Sequence, residues 1–199
     1  MKSVTQDGRA LRWDAHRKER RRELLRMVRH SVADLGPDAS MDQICEATGT
    51  SKTVLYRYFG DRAGLVDDMG QWAMKVITQQ LDRAATPDMS PREALTHMIT
   101  AFVDLAASRP HVYRFCDRGV THQTGQQTFF DSTAQLLCAR MNFTQPEQYM
   151  WARGALGFVR ACTDEWLTKP TDPHTFATHL STWLWESAPA TDNVEGKHS

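Results

Sequence analysis

The run Ser40-Met41-Asp42-Gln43-Ile44-Cys45-Glu46-Ala47-Thr48-Gly49-Thr50-Ser51-Lys52-Thr53-Val54-Leu55-Tyr56-Arg57-Tyr58-Phe59 decides how this chain is read. Ser40 is a good N-cap for a short helix over Met41–Thr48, in which Ile44, Cys45 and Met41 face inward. Gly49 supplies a tight turn. Ser51 caps a second short helix running to Phe59, and Asp61 caps a longer one reaching Ala84. Short helices broken at glycines match a helix-turn-helix. In that motif the second helix lies in the major groove of DNA, with its first residues near base edges and phosphates.

The contents of Ser51–Phe59 suit such a role. Ser51, Lys52 and Thr53 put two hydroxyls and an ammonium at the helix N-terminus, where orphan backbone amides also attract phosphate. Val54, Leu55 and Phe59 can face a core. Tyr56, Arg57 and Tyr58 leave phenol and guanidinium groups at the rim, where they can meet phosphates or simply cap the packing.

Upstream, Asp14–Leu35 reads as an amphipathic helix, with Leu24, Leu25, Val28, Val32 and Leu35 at three- and four-residue spacing. Gly36-Pro37 stops it. Its basic run Arg17–Arg22 is either a DNA-facing patch or a solvated face. Downstream, Ser90-Pro91-Arg92-Glu93 is a capping box opening a helix with Leu95, Met98, Ile99, Phe102 and Leu105 inward, ending before Pro110. A short helix follows near His111–Cys116, and another from Gly125 to Met141. Thr144-Gln145-Pro146-Glu147 reads as a second capping box, opening a helix to Leu167. Asp172-Pro173 opens the last, with Phe176, Leu180, Trp183 and Leu184 on one stripe. No period-two strand pattern persists. The expected fold is all-α with about nine helices. It comprises an N-terminal three-helix helix-turn-helix domain at 14–65, a helical C-terminal domain at 66–187, and a disordered tail at 188–199.

Composition narrows the classes. The 199 residues are 41% hydrophobic, enough for a packed core, and carry 24 basic and 24 acidic side chains. Residues 1–65 hold 13 Lys/Arg against 9 Asp/Glu, and residues 66–199 hold 11 against 15. Four of the eighteen aromatics lie in the first 65 residues. A basic front suits nucleic acid, because neutralised phosphates release counterions. No apolar run approaches the roughly 18–20 residues of a membrane helix, and no signal-peptide core opens the chain. Four cysteines without a CxxC pair point away from a disulfide framework or zinc ribbon and toward a reducing cytoplasm.

The run from Ser40 to Phe59, followed by Asp61-Arg62 and Leu65, resembles the DNA-binding signature of TetR-family (TetR/AcrR type) transcriptional regulators. The match covers about residues 17–68, and its core is Ser51-Lys52-x-x-Leu55-Tyr56-x-Tyr58-Phe59. The sequence departs from the family pattern at Cys45 and Thr48, where small alanines are usual, and at Thr50, where an apolar residue is usual. Arg62 stands where a lysine is usual. The Arg-rich first helix followed by Gly-Pro and Ser-Met-Asp is more distantly similar to actinobacterial regulators of lipid metabolism within the family.

By position, the resemblance implies that Lys52 and Thr53 sit in the major groove of a double-stranded DNA operator. Ser40, Ser51, Tyr56, Tyr58 and Arg62 would hold phosphates. It also implies a small-molecule pocket and a homodimer built by the last two long helices. For the interface, Gly154, Ala155, Gly157 and Ala161 permit close approach, Trp151, Phe158, Trp183 and Trp185 offer aromatic anchors, and Leu180 joins them. The pocket candidates are Met98, Phe102, Leu105, Tyr113, Phe115, Phe129, Phe130 and Phe158, and the same residues could be plain core. Their few ionic groups favour an apolar or acyl-type effector. The expectation is a ligand-responsive regulator, a repressor by the family's habit, binding an inverted repeat. No metal site, cofactor or catalytic motif is expected: GxSxG, HExxH, P-loop and GxGxxG are absent. The alternative is a non-DNA small-molecule-binding protein or helical enzyme with a degenerate helix-turn-helix.

Overall fold

The computed structural model describes the backbone of residues 4–84, 89–119 and 123–190, with the side chains of 4–10, 12, 81, 84, 117–119 and 123–130 excepted. These residues form nine helices in chain order: α1 (Val4–Leu35), α2 (Met41–Thr48), α3 (Lys52–Phe59), α4 (Arg62–Ala84), α5 (Pro91–Ser108), α6 (Pro110–Gly119), α7 (Gln123–Met141), α8 (Pro146–Trp166) and α9 (Pro173–Glu186). No strand occurs among the described residues, so the all-α expectation holds. The first helix begins at Val4 rather than Asp14. The tail expected from 188 is described only to Ala190.

The chain divides into two compact units. The first comprises residues 1–69 together with 111–120, and the second comprises 70–110 and 121–199. The boundary expected at 65/66 thus falls four residues later, inside α4. Most of α6 belongs to the first unit, although the helices flanking it in sequence belong to the second.

In the first unit the α1 stripe works as its spacing requires: Leu24, Val28 and Val32 have no exposed surface. Leu35, read as part of that stripe, is instead exposed in the last turn before Gly36. Ile44 from α2, Leu55 from α3, Leu65 and Met69 from α4, and Phe115 from α6 are fully buried with them. Each such aliphatic side chain contributes on the order of 1.5–3 kcal/mol over leaving it in water, as an upper figure. Beside this core lies a polar clamp. Arg21 of α1 grips Asp68 of α4 with Nε on Oδ2 at 2.5 Å and Nη2 on Oδ1 at 2.8 Å. Its guanidinium also lies 5.5 Å from the ring centre of Phe59, the last residue of α3.

The second unit packs α5 on α9 and α7 on α8. Leu95, Ile99 and Val103 meet Leu137, Met141, Val159, Leu180 and Leu184 in one core. The Ser90 capping box forms as expected, Ser90 Oγ accepting from the Glu93 amide and the Glu93 carboxylate accepting from the Ser90 amide. At α8 the box closes one residue later than expected. Gln148, not Glu147, reaches back, its Oε1 accepting from the amides of both Thr144 and Gln145. The neutral amide suits this better because Gln148 is buried and its other end donates to the Ala190 carbonyl. Asp172 caps α9 through the Thr175 amide.

Candidate nucleic-acid interface

The two short helices are held by their ends. Ser40 Oγ accepts from the Gln43 amide at 3.2 Å while Gln43 Oε1 accepts from the Ser40 amide at 2.8 Å. Gly49, at φ 61°, takes the left-handed conformation that ends α2 and turns the chain toward α3. The Thr48 hydroxyl, which replaces a smaller side chain in the family pattern, donates to the Ile44 carbonyl at 2.7 Å and so is itself paired where it is buried. Ser51 Oγ accepts from the Val54 amide at 3.4 Å. Capping uses the lone pairs of Ser40 and Ser51, so each keeps a hydroxyl proton to donate to a phosphate.

On α3 the inward side chains are Leu55 and Phe59, both buried. Ser51, Lys52, Thr53, Tyr56 and Arg57 are exposed, and Tyr58 is half-buried with the Arg57 guanidinium 5.4 Å from its ring centre. The structure therefore brings Ser51, Lys52, Thr53 and Tyr56 onto one solvent-facing side of an eight-residue helix. Lys52 Nζ pairs with Asp42 Oδ1 of α2 at 2.7 Å, and that hydrogen bond, then the Asp42 charge, raises the ammonium's pKa. The pair is exposed, so the ammonium is fully charged and has donors to spare.

Arg62 is placed differently from its sequence expectation. Its Nη1 donates to the Ala39 carbonyl at 2.5 Å and its Nη2 to the Pro37 carbonyl at 3.5 Å. The guanidinium lies 4.2 Å from the ring centre of Phe115. Burial lowers its pKa, partly offset by Asp38. Two further features had no signal in the motif. Gly64, in the first turn of α4, is approached so closely by the Phe59 carbonyl oxygen that a Cβ there would collide with it. The Arg21–Asp68 clamp spans residues far apart in sequence, where periodicity is silent.

Comparison with known proteins finds relatives of this segment and of the fold. The family model for bacterial regulatory proteins, tetR family, matches residues 31–69, the span from the last turns of α1 through Met69. An HTH-type transcriptional regulator of Mycobacterium tuberculosis is 29% identical over 181 residues, covering 84% of this chain and 76% of that one. A TetR-family transcriptional regulator from Streptomyces coelicolor superposes with a TM-score of 0.63 at 20% identity, covering 84% of this chain and 79% of that one. The regulator LfrR from Mycobacterium smegmatis, crystallised with proflavine, gives 0.59 at 19% identity, covering 87% and 98%.

Residues 31–69 are thus similar to the helix-turn-helix segment of bacterial regulatory proteins of the tetR family. Among the described residues no group of His, Cys, Asp or Glu could hold a metal ion. Among them, too, no helix is long and apolar enough to cross a membrane.

The second unit's candidates separate by burial. Met98 is buried, and Phe102 and Leu105 lean half-buried on the same core. Tyr113 and Phe115 fall in the first unit on α6, Phe115 as fully buried core beneath Arg62. The side chains of Phe129 and Phe130 lie outside the described residues. Phe158, expected to line a pocket, is 41% exposed on α8 and packs edge-on against Trp183 of α9, 6.3 Å between ring centres. Among the interface candidates, Leu180 and Ala155 are corrected. At 0% and 5% exposure within the single chain they are core and have no surface to offer a partner. Trp151 is half-buried, its ring edge-on to Phe143. Gly154, Gly157, Ala161 and Trp183 are exposed, and Met150 and Phe158 join them on α8.

Proposed function

We propose that this protein is a homodimeric, ligand-responsive repressor that reads an inverted-repeat operator through α3. The observation that carries the reading is the division of α3 itself. Leu55 and Phe59 are locked into the core while Ser51, Lys52, Thr53 and Tyr56 face solvent at the end where backbone amides attract phosphate. Lys52 and Thr53 are the base-facing residues. Ser40, Ser51, Tyr56 and Tyr58 hold phosphates. Arg62 is left out of that set, because its donors are turned to Ala39 and Pro37.

The dimer forms through α8 and α9, where Met150, Gly154, Gly157, Phe158, Ala161 and Trp183 are left exposed by the single chain. Two-fold symmetry then sets two recognition helices about one DNA turn, ~34 Å, apart or at a similar spacing. The effector is a small apolar or acyl-type molecule, and the α5 side chains Met98, Phe102 and Leu105 support that class. Its binding shifts the dimer between a geometry that fits successive grooves and one that does not. Selection of binding sites from a random double-stranded library tests the reading. An enriched inverted repeat is expected, and enrichment of no sequence would refute it. Native mass spectrometry of the freshly purified protein tests the other half, with a mass of two chains and an apolar adduct as the expected result.

A further inference from the structure

We propose that Arg62 is a positioning residue, which fixes the start of the helix-turn-helix against α6, and not a ligand of DNA phosphate. The inference rests on the DNA-binding reading above. Its starting point is one peptide unit, the bond joining Ala39 to Ser40. The carbonyl of that unit accepts from Arg62 Nη1 and its N–H donates to Gln43 Oε1, so both polar groups are fixed by side chains. Ser40 is the N-cap of α2, and the direction of this peptide therefore sets where α2 begins. Arg62 also reaches the Pro37 carbonyl, so a single guanidinium holds the whole α1–α2 corner.

The other face of the guanidinium is occupied too, lying over the ring of Phe115, which is fully buried. Phe115 belongs to α6, and α6 has a second hold on the same corner: His111 Nδ1 lies 2.8 Å from the Ala33 carbonyl in the last turn of α1. A planar fork that bonds carbonyls with its edge and stacks with its face is a task for arginine and not for lysine. Reaching a phosphate would require Arg62 to abandon the Ala39 carbonyl, the Pro37 carbonyl and the ring together.

The test uses the full-length protein, the inverted repeat recovered by selection, and a scrambled duplex of equal length. Arg62→Lys keeps the charge but cannot span two carbonyls while lying flat on the ring. It is expected to weaken binding to the selected site about tenfold, the scale of a lost charged hydrogen bond. Binding to scrambled DNA and the salt dependence should not change. Phe115→Leu should act through the same contact, so the double variant should bind no more weakly than Arg62→Lys alone. A phosphate ligand would behave otherwise. Lysine would then substitute without loss, and Arg62→Met would weaken both DNAs alike and lower the salt slope by about 0.9. That pattern, or losses that multiply in the double variant, would overturn the proposal. Hydrogen exchange of the Gln43 and Ile44 amides, which bond back to Ser40, is a readout without DNA. Faster exchange in both Arg62→Lys and Phe115→Leu supports the proposal, and unchanged exchange overturns it. If the wild-type chain selects no DNA, the DNA reading fails while this exchange measurement still decides the role of Arg62.

Discussion

Lys52 and Tyr56 make the sharpest demands on single side chains. Lys52 is exposed and its partner Asp42 is equally exposed, so a duplex can displace the carboxylate without desolvating anything buried. Lys52→Ala should weaken operator binding about tenfold and reduce the salt slope, measured by titration at several salt concentrations, with the dimer mass unchanged. Tyr56→Phe removes only a hydroxyl from a side chain 45% exposed, and should cost about threefold. Unaltered affinity in both variants would refute the assignment of this face. The Arg21–Asp68 clamp is a stability prediction. Asp68 is buried and Arg21 half-buried, so Arg21→Met should cost about 2 kcal/mol in urea unfolding, between an exposed and a buried pair. The α3 residues were legible in the sequence because hydroxyl, ammonium and apolar positions alternate on one short helix. The surroundings of Arg62 and Gly64 were not, since each meets a backbone carbonyl brought near by folding, and carbonyls leave no trace in side-chain patterns.

At the scale of elements, helix ends were more legible than helix faces, for a local reason. A cap joins residues three apart, so Ser40, Ser51, Ser90 and Asp172 could be read directly and all cap in the structure. Where two candidate boxes overlap by one residue, as at Thr144–Gln148, only burial decides between them, and burial selected Gln148. Faces depend on which neighbour arrives, which is why the spacing places Leu35 on the buried stripe although it is exposed. The acidic caps carry a pH prediction. Hydrogen bonds from Thr175, the backbone amide first, hold the Asp172 carboxyl below its ordinary value of 3.8. The stabilisation is therefore complete above pH 3.8 and is lost as pH falls through the lower value of the folded chain. Asp172→Ala should lower the urea midpoint clearly at pH 7 and by much less at pH 2.5, and equal losses at both would show that the carboxylate charge does not matter.

For the whole molecule, the question is whether the α8–α9 face is a surface or a seam. Its glycines allow a clean answer. In the isolated chain a Cβ added at Gly154 or Gly157 meets nothing within 4 Å, so a side chain there disturbs no contact of the monomer. Replacing a mid-helix glycine should even favour the helix by up to about 1 kcal/mol. Gly157→Glu should consequently leave the single chain at least as stable. If two copies meet on this face, the same change buries a carboxylate beside Phe158 and Trp183, and the mass in solution should fall from two chains to one. Operator affinity would then drop by about 100-fold or more, because two recognition helices no longer act on one duplex. Leu180→Ala is the contrasting variant. It empties a core position with no exposed surface and should destabilise the fold by about 2–5 kcal/mol whatever the oligomeric state. A Gly157→Glu protein that remains a dimer and binds the inverted repeat as the wild type does would move the interface off α8 and leave the exposed Trp183 needing another partner.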